Sequence, residues 1–321
     1  MWSTSEVDVS AYNCLNLLYA LLAHSKQFAY QMLAKGSWSF SFQRNANQPV
    51  GECFSCKTKN DVEIALEKYH GLKVYKHEFN GPTIEWKMMA NDLLLERNAI
   101  IVNTDSYWCP WSRAYREQHY MHSFLISVFI GNLAICEDPY LQVSSQNIDI
   151  ALLLPGIRHV SFIEKVHTEL CTNDELIRGL NNDMEEIVSS CMFEEMDLFV
   201  QTIRNINFGM ECQGYHWKQA YAIPLFANMK DLMMSRRGYA YMIAYIAQKM
   251  ADDVLGALAE KLYMISVDWE EVRSRLIWLA MRQRNQGLPT VVDDMSALVS
   301  KEKNLVCTIL RRLGSKYLRM V

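Results

Sequence analysis

The 321-residue sequence has no stretch of about 18 uncharged apolar residues, so no bilayer-spanning helix is expected. It has no basic block either. Lys plus Arg number 32 against 36 Asp plus Glu, a net charge of −4, which argues against a nucleic-acid binder and its concentrated positive patch. Neither a G-x-G-x-x-G turn nor a Walker-type phosphate loop is present, so use of a nucleotide is not expected. Internal repeats and low-complexity linkers are missing. The opening MWSTSEVDVSAYNC lacks a basic segment and carries Glu6 and Asp8, unlike a secretory signal. The nine cysteines follow no framework spacing, which fits reduced thiols and a cytoplasmic location. An odd count leaves at least one thiol unpaired.

What is present is a chain that is 50% hydrophobic, enough for one large or two ordinary cores. Residues 14–23 (CLNLLYALLA) form an apolar helical run that Ser10 or Asn13 can cap. An aromatic stretch with Gly36, Trp38, Phe40 and Phe42 reads as loop or short strand. A helix is expected over 61–69, capped by Asn60 or Asp61, and a strand over 72–79 that stops at Asn80-Gly81-Pro82. A helix over 84–97, with Trp86, Met89, Leu93 and Leu94 on its apolar face, precedes a β-rich run at 99–104. Beyond the irregular DSYWCPWSRAYREQHYMH come two strand-like runs, 122–128 and 133–137, around Gly131-Asn132. From about residue 160 helical runs dominate: 175–207, 225–250, 252–263, 268–283 and one within 296–319, with Pro224 and Pro289 between helices. The expectation is an α+β protein. A catalytic domain spans 1–150, and a helical domain over 151–321 completes or covers its cleft, with the boundary near 141–160.

Three residues suit nucleophilic chemistry. Cys14 stands at a helix N-terminus, where the positive end of the helix dipole favours thiolate. The same position also suits a small packed residue. His122 opens one strand-like run and Asp138 closes the next. A loop centred on Gly131 places Asp138 diagonally from His122 on one face; a two-residue Gly131-Asn132 turn sends it to the opposite face, because strand side chains alternate. Spacing therefore permits a His–carboxylate pair, the base that activates a cysteine, without requiring one.

The chain order Cys, then His and Asp on adjacent late strands, is that of papain-like folds. The segment Val102-Asn-Thr-Asp-Ser-Tyr-Trp-Cys-Pro-Trp, then Tyr115, His122 before a β run, Gly131 and Asp138-Pro139, resembles the N-terminal domain of the butirosin-biosynthesis acyltransferase family. That family is related to the papain-like peptidases that process bacteriocin leaders, and to amide-forming condensing enzymes of closthioamide-type biosynthesis. The likeness covers about residues 10–142. It implies a papain-like fold and a triad of Cys14 as nucleophile, His122 as base and then acid, and Asp138 as the group that orients the imidazole. It also implies acyl transfer from an acyl or peptidyl carrier-protein thioester to a small amine. Trp111 stands where the family usually has Tyr. Papain-like peptidases place a Gln shortly before the Cys as an oxyanion donor. Here only Asp8, Ser10 and Asn13 are on offer, so the Cys14 backbone N–H and Asn13 are the candidates.

Tyr107, Trp108 and Trp111 are read as substrate-binding residues beside the triad, with Asp105 near them. His119, three residues before His122, reads as a solvent or substrate-channel residue. Cys53-Phe-Ser-Cys56 is a lone C-x-x-C with no second half, so structural thiols are expected rather than a metal or redox site. The Tyr and Met residues of 239–250 recur at helical spacing and read as core. Amide formation without a nucleotide requires a pre-activated acyl donor, and a thioester is the natural one. The leading expectation is a cysteine-dependent N-acyltransferase with no cofactor or metal and no nucleic-acid or membrane partner. The alternatives are a papain-like cysteine peptidase or amidase, and a non-catalytic binding module.

Overall fold

The computed structural model describes residues 7–56, 62–78, 84–97, 99–167 and 171–314. In chain order the first elements are α1 (Cys14–Ser25), β1 (Ser41–Phe42), β2 (Phe54–Ser55), α2 (Val62–His70), β3 (Leu72–Glu78) and α3 (Ile84–Arg97). Then follow β4 (Ile100–Asp105), β5 (Met121–Ile130), β6 (Leu133–Asp138), β7 (Val143–Asp149), α4 (Ile150–Leu153) and β8 (Ile157–Lys165). The remainder is helical: α5 (Asn173–Ser189), α6 (Met192–Ile203), α7 (Phe208–Glu211), α8 (Pro224–Met250), α9 (Asp253–Arg282) and α10 (Leu288–Leu313). The expected α+β class thus holds, with a sheet-rich N-terminal part and a helical C-terminal part.

The chain divides into two compact units that interleave in sequence. Described residues 7–33 and 62–167 make one; 34–56 and 171–314 make the other. This differs from a single cut near 141–160 in two ways. The strand β8 lies beyond that cut yet pairs with both β3 and β4. The aromatic stretch around Phe40, Phe42 and Phe54 belongs to the helical unit, where all three rings pack on Phe199 of α6, with centroids 4.5–5.6 Å apart.

In the first unit six antiparallel strands run in the order β3-β8-β4-β5-β6-β7. Every residue of β4 is buried, so both faces are covered at the centre of the sheet. One face carries Ile100, Val102, Phe124, Ile126, Ala134, Cys136 and Val160, packed under Ala90 and Leu94 of α3 and Leu153 of α4. Helix α1 contacts β5 and β8. Its residues Leu17 to Ala23 are buried on every side, which explains why its sequence lacks a polar stripe. Leu17, Leu18 and Leu21 are fully buried, each contributing about 1.5–3 kcal/mol. The edge strand β7 is mostly exposed and polar (Ser144, Ser145, Gln146, Asn147), which hid it from a hydrophobic-pattern reading. The caps Asn60 and Asp61 and the turn Asn80-Gly81-Pro82 lie outside the described residues.

The second unit corrects several helix boundaries. The run 175–207 breaks at Ser190-Cys191 into α5, begun by a Thr172–Glu175 capping box, and α6. The pair 252–263 and 268–283 is one helix, α9. Pro224 and Pro289 sit in the first turns of α8 and α10, where a missing N–H costs nothing. The core of this unit holds an ion pair with no solvent exposure, Arg236 with Glu302 at 3.0 Å. The indoles of Trp38 and Trp269 donate to the two Glu302 oxygens at 2.8 and 2.7 Å, and Arg236 also donates to the Ser39 carbonyl. Glu302→Ala leaves a buried guanidinium and two indole N–H groups without their acceptor. A loss of about 3–5 kcal/mol in unfolding free energy is expected from denaturant titration. A loss under about 1 kcal/mol contradicts this assignment.

Candidate active site

Helix α1 starts where the sequence allows it. The Asn13 side-chain oxygen accepts the Asn16 N–H at 2.9 Å, so Asn13 rather than Ser10 is the N-cap and Cys14 is the first helical residue. Asp8 takes a different role. Its carboxylate accepts the N–H and the hydroxyl of Ser10 at 2.8 and 2.5 Å.

The β5–β6 hairpin brings His122 and Asp138 together by an unexpected route. Its turn is the two-residue one, with Gly131 at φ +60° and Ile130 opposite Leu133. That register alone puts Asp138 on the face away from His122. Between Ile126 and Val128 the register shifts by one residue, so that Cys136 opposes Ile126 and Glu137 opposes Leu125. This bulge at Ser127 turns the end of β6 over, and Asp138 returns to the face of His122, diagonal to it.

The result is a connected triad. The Cys14 Sγ lies 3.5 Å from His122 Nδ1 and 2.8 Å from the Ser123 carbonyl oxygen, to which the thiol donates. On the other side of the ring, His122 Nε2 lies 2.5 Å from Asp138 Oδ2. Asp138 is fully buried and ends β6; its Oδ1 accepts the Leu141 N–H at 3.1 Å. Burial of His122 works against its positive charge. The hydrogen bond to Asp138 and the adjacent Cys14 sulfur outweigh it and raise the imidazole to about 10. The imidazole is thus biased toward its protonated form beside the Cys14 sulfur.

The aromatic residues separate into two groups. Trp111, expected to contact substrate, also reaches the triad: its indole N–H donates to Asp138 Oδ2 at 2.8 Å, and its ring meets Phe124 edge to face at 5.1 Å. Tyr107 and Trp108 belong to a second cluster at the end of β4. There Asp105 Oδ2 lies 2.7 Å from His119 Nδ1, and the His119 ring stacks on Tyr107 at 4.3 Å and 9°. The His119 interaction and the Tyr107 backbone N–H lower the Asp105 carboxyl, against the opposing effect of burial. Trp108 packs against Gly156, where an added Cβ would come within 2.8 Å of it. His119 thus has its own carboxylate and is not bonded to Cys14. His122→Ala should slow alkylation of Cys14 at pH 7 at least 10-fold, while His119→Ala should leave it within about 2-fold. Equal losses in the two variants contradict the pairing.

Sequence reasoning missed the Ser123 carbonyl; Tyr140, which a loop centred on Gly131 pairs with His122, has its ring 6.5 Å from that of His122. Adjacency to His122 is the only sequence signal for the Ser123 carbonyl. All nine cysteines are free. Cys53 and Cys56 are buried in the helical unit, and burial pushes the Cys56 thiol up to about 12. Burial, with the Asp138 charge nearby, pushes up the Cys109 thiol and raises Cys136 to about 12, so both stay protonated and inert at neutral pH. Among the described residues one group of His, Cys, Asp or Glu has donor atoms close enough to share a metal ion: Cys14, His122 and Asp138, all within 4.8 Å. A thiophilic divalent cation would compete there with the hydrogen bonds of the triad. Among the described residues no helix is long and apolar enough to cross a membrane. No family model matches the chain, and no curated relative does.

Proposed function

We propose that this chain is a cysteine-dependent N-acyltransferase whose first unit is papain-like in arrangement. The observation that carries the reading is the unbroken line Cys14 Sγ, His122, Asp138, with contacts of 3.5 and 2.5 Å on opposite nitrogens of one imidazole. The Cys14 thiolate attacks the carbonyl of a thioester, and the His122 imidazolium gives its proton to the departing thiol. The acyl group then rests on Cys14 as a thioester. An amine attacks it, His122 takes the amine proton, and collapse of the tetrahedral intermediate releases amide and Cys14 thiolate.

The intermediate's oxyanion needs donors. The Cys14 backbone N–H lies in the first turn, where helix N–H groups lack intrahelical partners. The Asn13 cap bond uses that side chain's oxygen and leaves its NH₂ to donate. Asp8 and Ser10 are committed to each other, and a carboxylate cannot donate, so Asn13 stands as the second donor. The resemblance of 99–140 to the butirosin-type acyltransferases supports a carrier-protein thioester as donor and a small amine as acceptor.

The test is to offer a pantetheine thioester, as a carrier mimic, together with a primary amine. Amide that forms in proportion to enzyme and saturates with amine is expected. Thioester hydrolysis indifferent to amine, or cleavage of peptides in place of transfer, overturns this reading in favour of a peptidase or amidase.

A further inference from the structure

The triad as described leaves one of its contacts without a role. Asp138 has no solvent exposure, and an ionised carboxylate in such a place is costly unless donors surround it. It has three. His122 is the partner it must orient. The Leu141 N–H comes from the turn immediately after it, a local cap. The third, the indole N–H of Trp111, comes from 27 residues earlier in the chain and ends on Oδ2, the same oxygen that faces His122.

We infer that Trp111 is a positioning residue of the triad: its neutral N–H pins Oδ2 of Asp138 in the His122 plane and keeps that oxygen an acceptor.

Three features support this. The ring packs edge to face with Phe124, which is fully buried on β5 two residues from His122, so ring and imidazole are referred to the same strand. The segment that delivers it is fixed on both sides, with Cys109 and Ala114 fully buried and the Ser112 N–H bonded to the Cys109 carbonyl. The donor is also of the right kind. A lysine or arginine at this position would neutralise the carboxylate and cancel its hold on the imidazolium. An indole N–H stabilises the charge without removing it. The other titratable groups that sense the Asp138 charge, Cys109 and Cys136, are neutral thiols at pH 7 and do not compete.

The inference rests on the Cys14–His122–Asp138 triad being functional but not on the identity of its substrates. Its test therefore reads the triad directly: the rate of iodoacetamide alkylation of Cys14, followed by peptide mapping between pH 5 and 10. Trp111→Phe keeps the ring on Phe124 and removes the donor. A 10- to 100-fold slower alkylation at pH 7 is expected, matching one charge-assisted hydrogen bond, with partial recovery in Trp111→Tyr. In an Asp138→Ala background, where no side-chain acceptor remains for the indole, the Trp111→Phe change should have no further effect. The same fold-loss in both backgrounds, or an unaltered rate and pH profile in a folded Trp111→Phe, overturns it. Should Trp111→Phe fail to fold, the Trp111 indole N–H resonance takes over as readout. It is expected far downfield in the native protein and to move upfield in Asp138→Asn; an unmoved resonance overturns the inference. If Cys14 of the native protein reacts no faster than the exposed Cys191, the triad itself is not functional, and this inference falls with it.

Discussion

Cys14→Ala is expected to reduce amide formation to the uncatalysed rate. Neither of the other two thiols in its own unit can replace it. Cys109 and Cys136 are buried and protonated near Asp138, and Cys53 and Cys56 are buried in the other unit. The fold should survive. The variant loses one sulfur and its hydrogen bond to the Ser123 carbonyl, at a cost of about 1 kcal/mol. The measurement is the rate of amide formation from thioester and amine, with a melting curve on the same sample. Residual turnover above a few per cent in a folded Cys14→Ala protein contradicts the assignment of the nucleophile.

Asp138→Asn is expected to slow turnover by about 10²–10⁴-fold with the fold retained. An amide offers one acceptor oxygen where the carboxylate offers two. It cannot serve Leu141 on one side and both Trp111 and His122 on the other without a donor facing a donor. The raising effect of Asp138 on the imidazole is lost while the desolvation that lowers it and the raising effect of Cys14 remain, so the His122 imidazole should hold its proton less tightly than in the native protein. The consequence for stability has a definite sign. In the native protein the His122 proton is held more tightly in the folded state, at about 10, than at its ordinary 6.5. The stabilisation from this site is therefore fully present below pH 6.5 and is lost as pH rises through about 10. Denaturant titrations at pH 6.5, 8.5 and 10 should show a steeper alkaline loss for the native protein than for Asp138→Asn. Parallel pH profiles contradict the coupling.

The elements around the site were legible because local physics decides them. An Asx cap before an apolar run marks α1, and the runs on either side of Gly131-Asn132 mark the hairpin. The relation between His122 and Asp138 was not legible, because it depends on a register shift at Ser127 that no propensity marks. The sequence offers two turn geometries with opposite outcomes, and the protein combines the turn that separates the pair with a bulge that reunites it. The bond from Trp111 to Asp138 was not legible for a related reason. An aromatic residue in an irregular loop reads as a surface or cleft residue, and only the fold shows its N–H on Asp138. The division into units escaped because it interleaves. Residues 34–56 leave the sheet unit through an aromatic loop whose partners, Phe199 and Glu302, lie over 140 positions later. Edge strand β7 carries too few apolar residues to announce itself, and β8 follows it where a helical domain was expected.

The claim that Cys14 carries the acyl group between donor and acceptor is tested most directly by trapping it. The native protein is mixed with a pantetheine thioester in the absence of amine, quenched in acid, and measured by intact mass and peptide mapping. The account predicts a mass increase equal to one acyl group, located on the peptide that begins α1 at Cys14. It also predicts that the adduct disappears, with formation of amide, when an amine is added. An adduct confined to another cysteine such as Cys191, or amide formed at full rate with Cys14 never acylated, contradicts it.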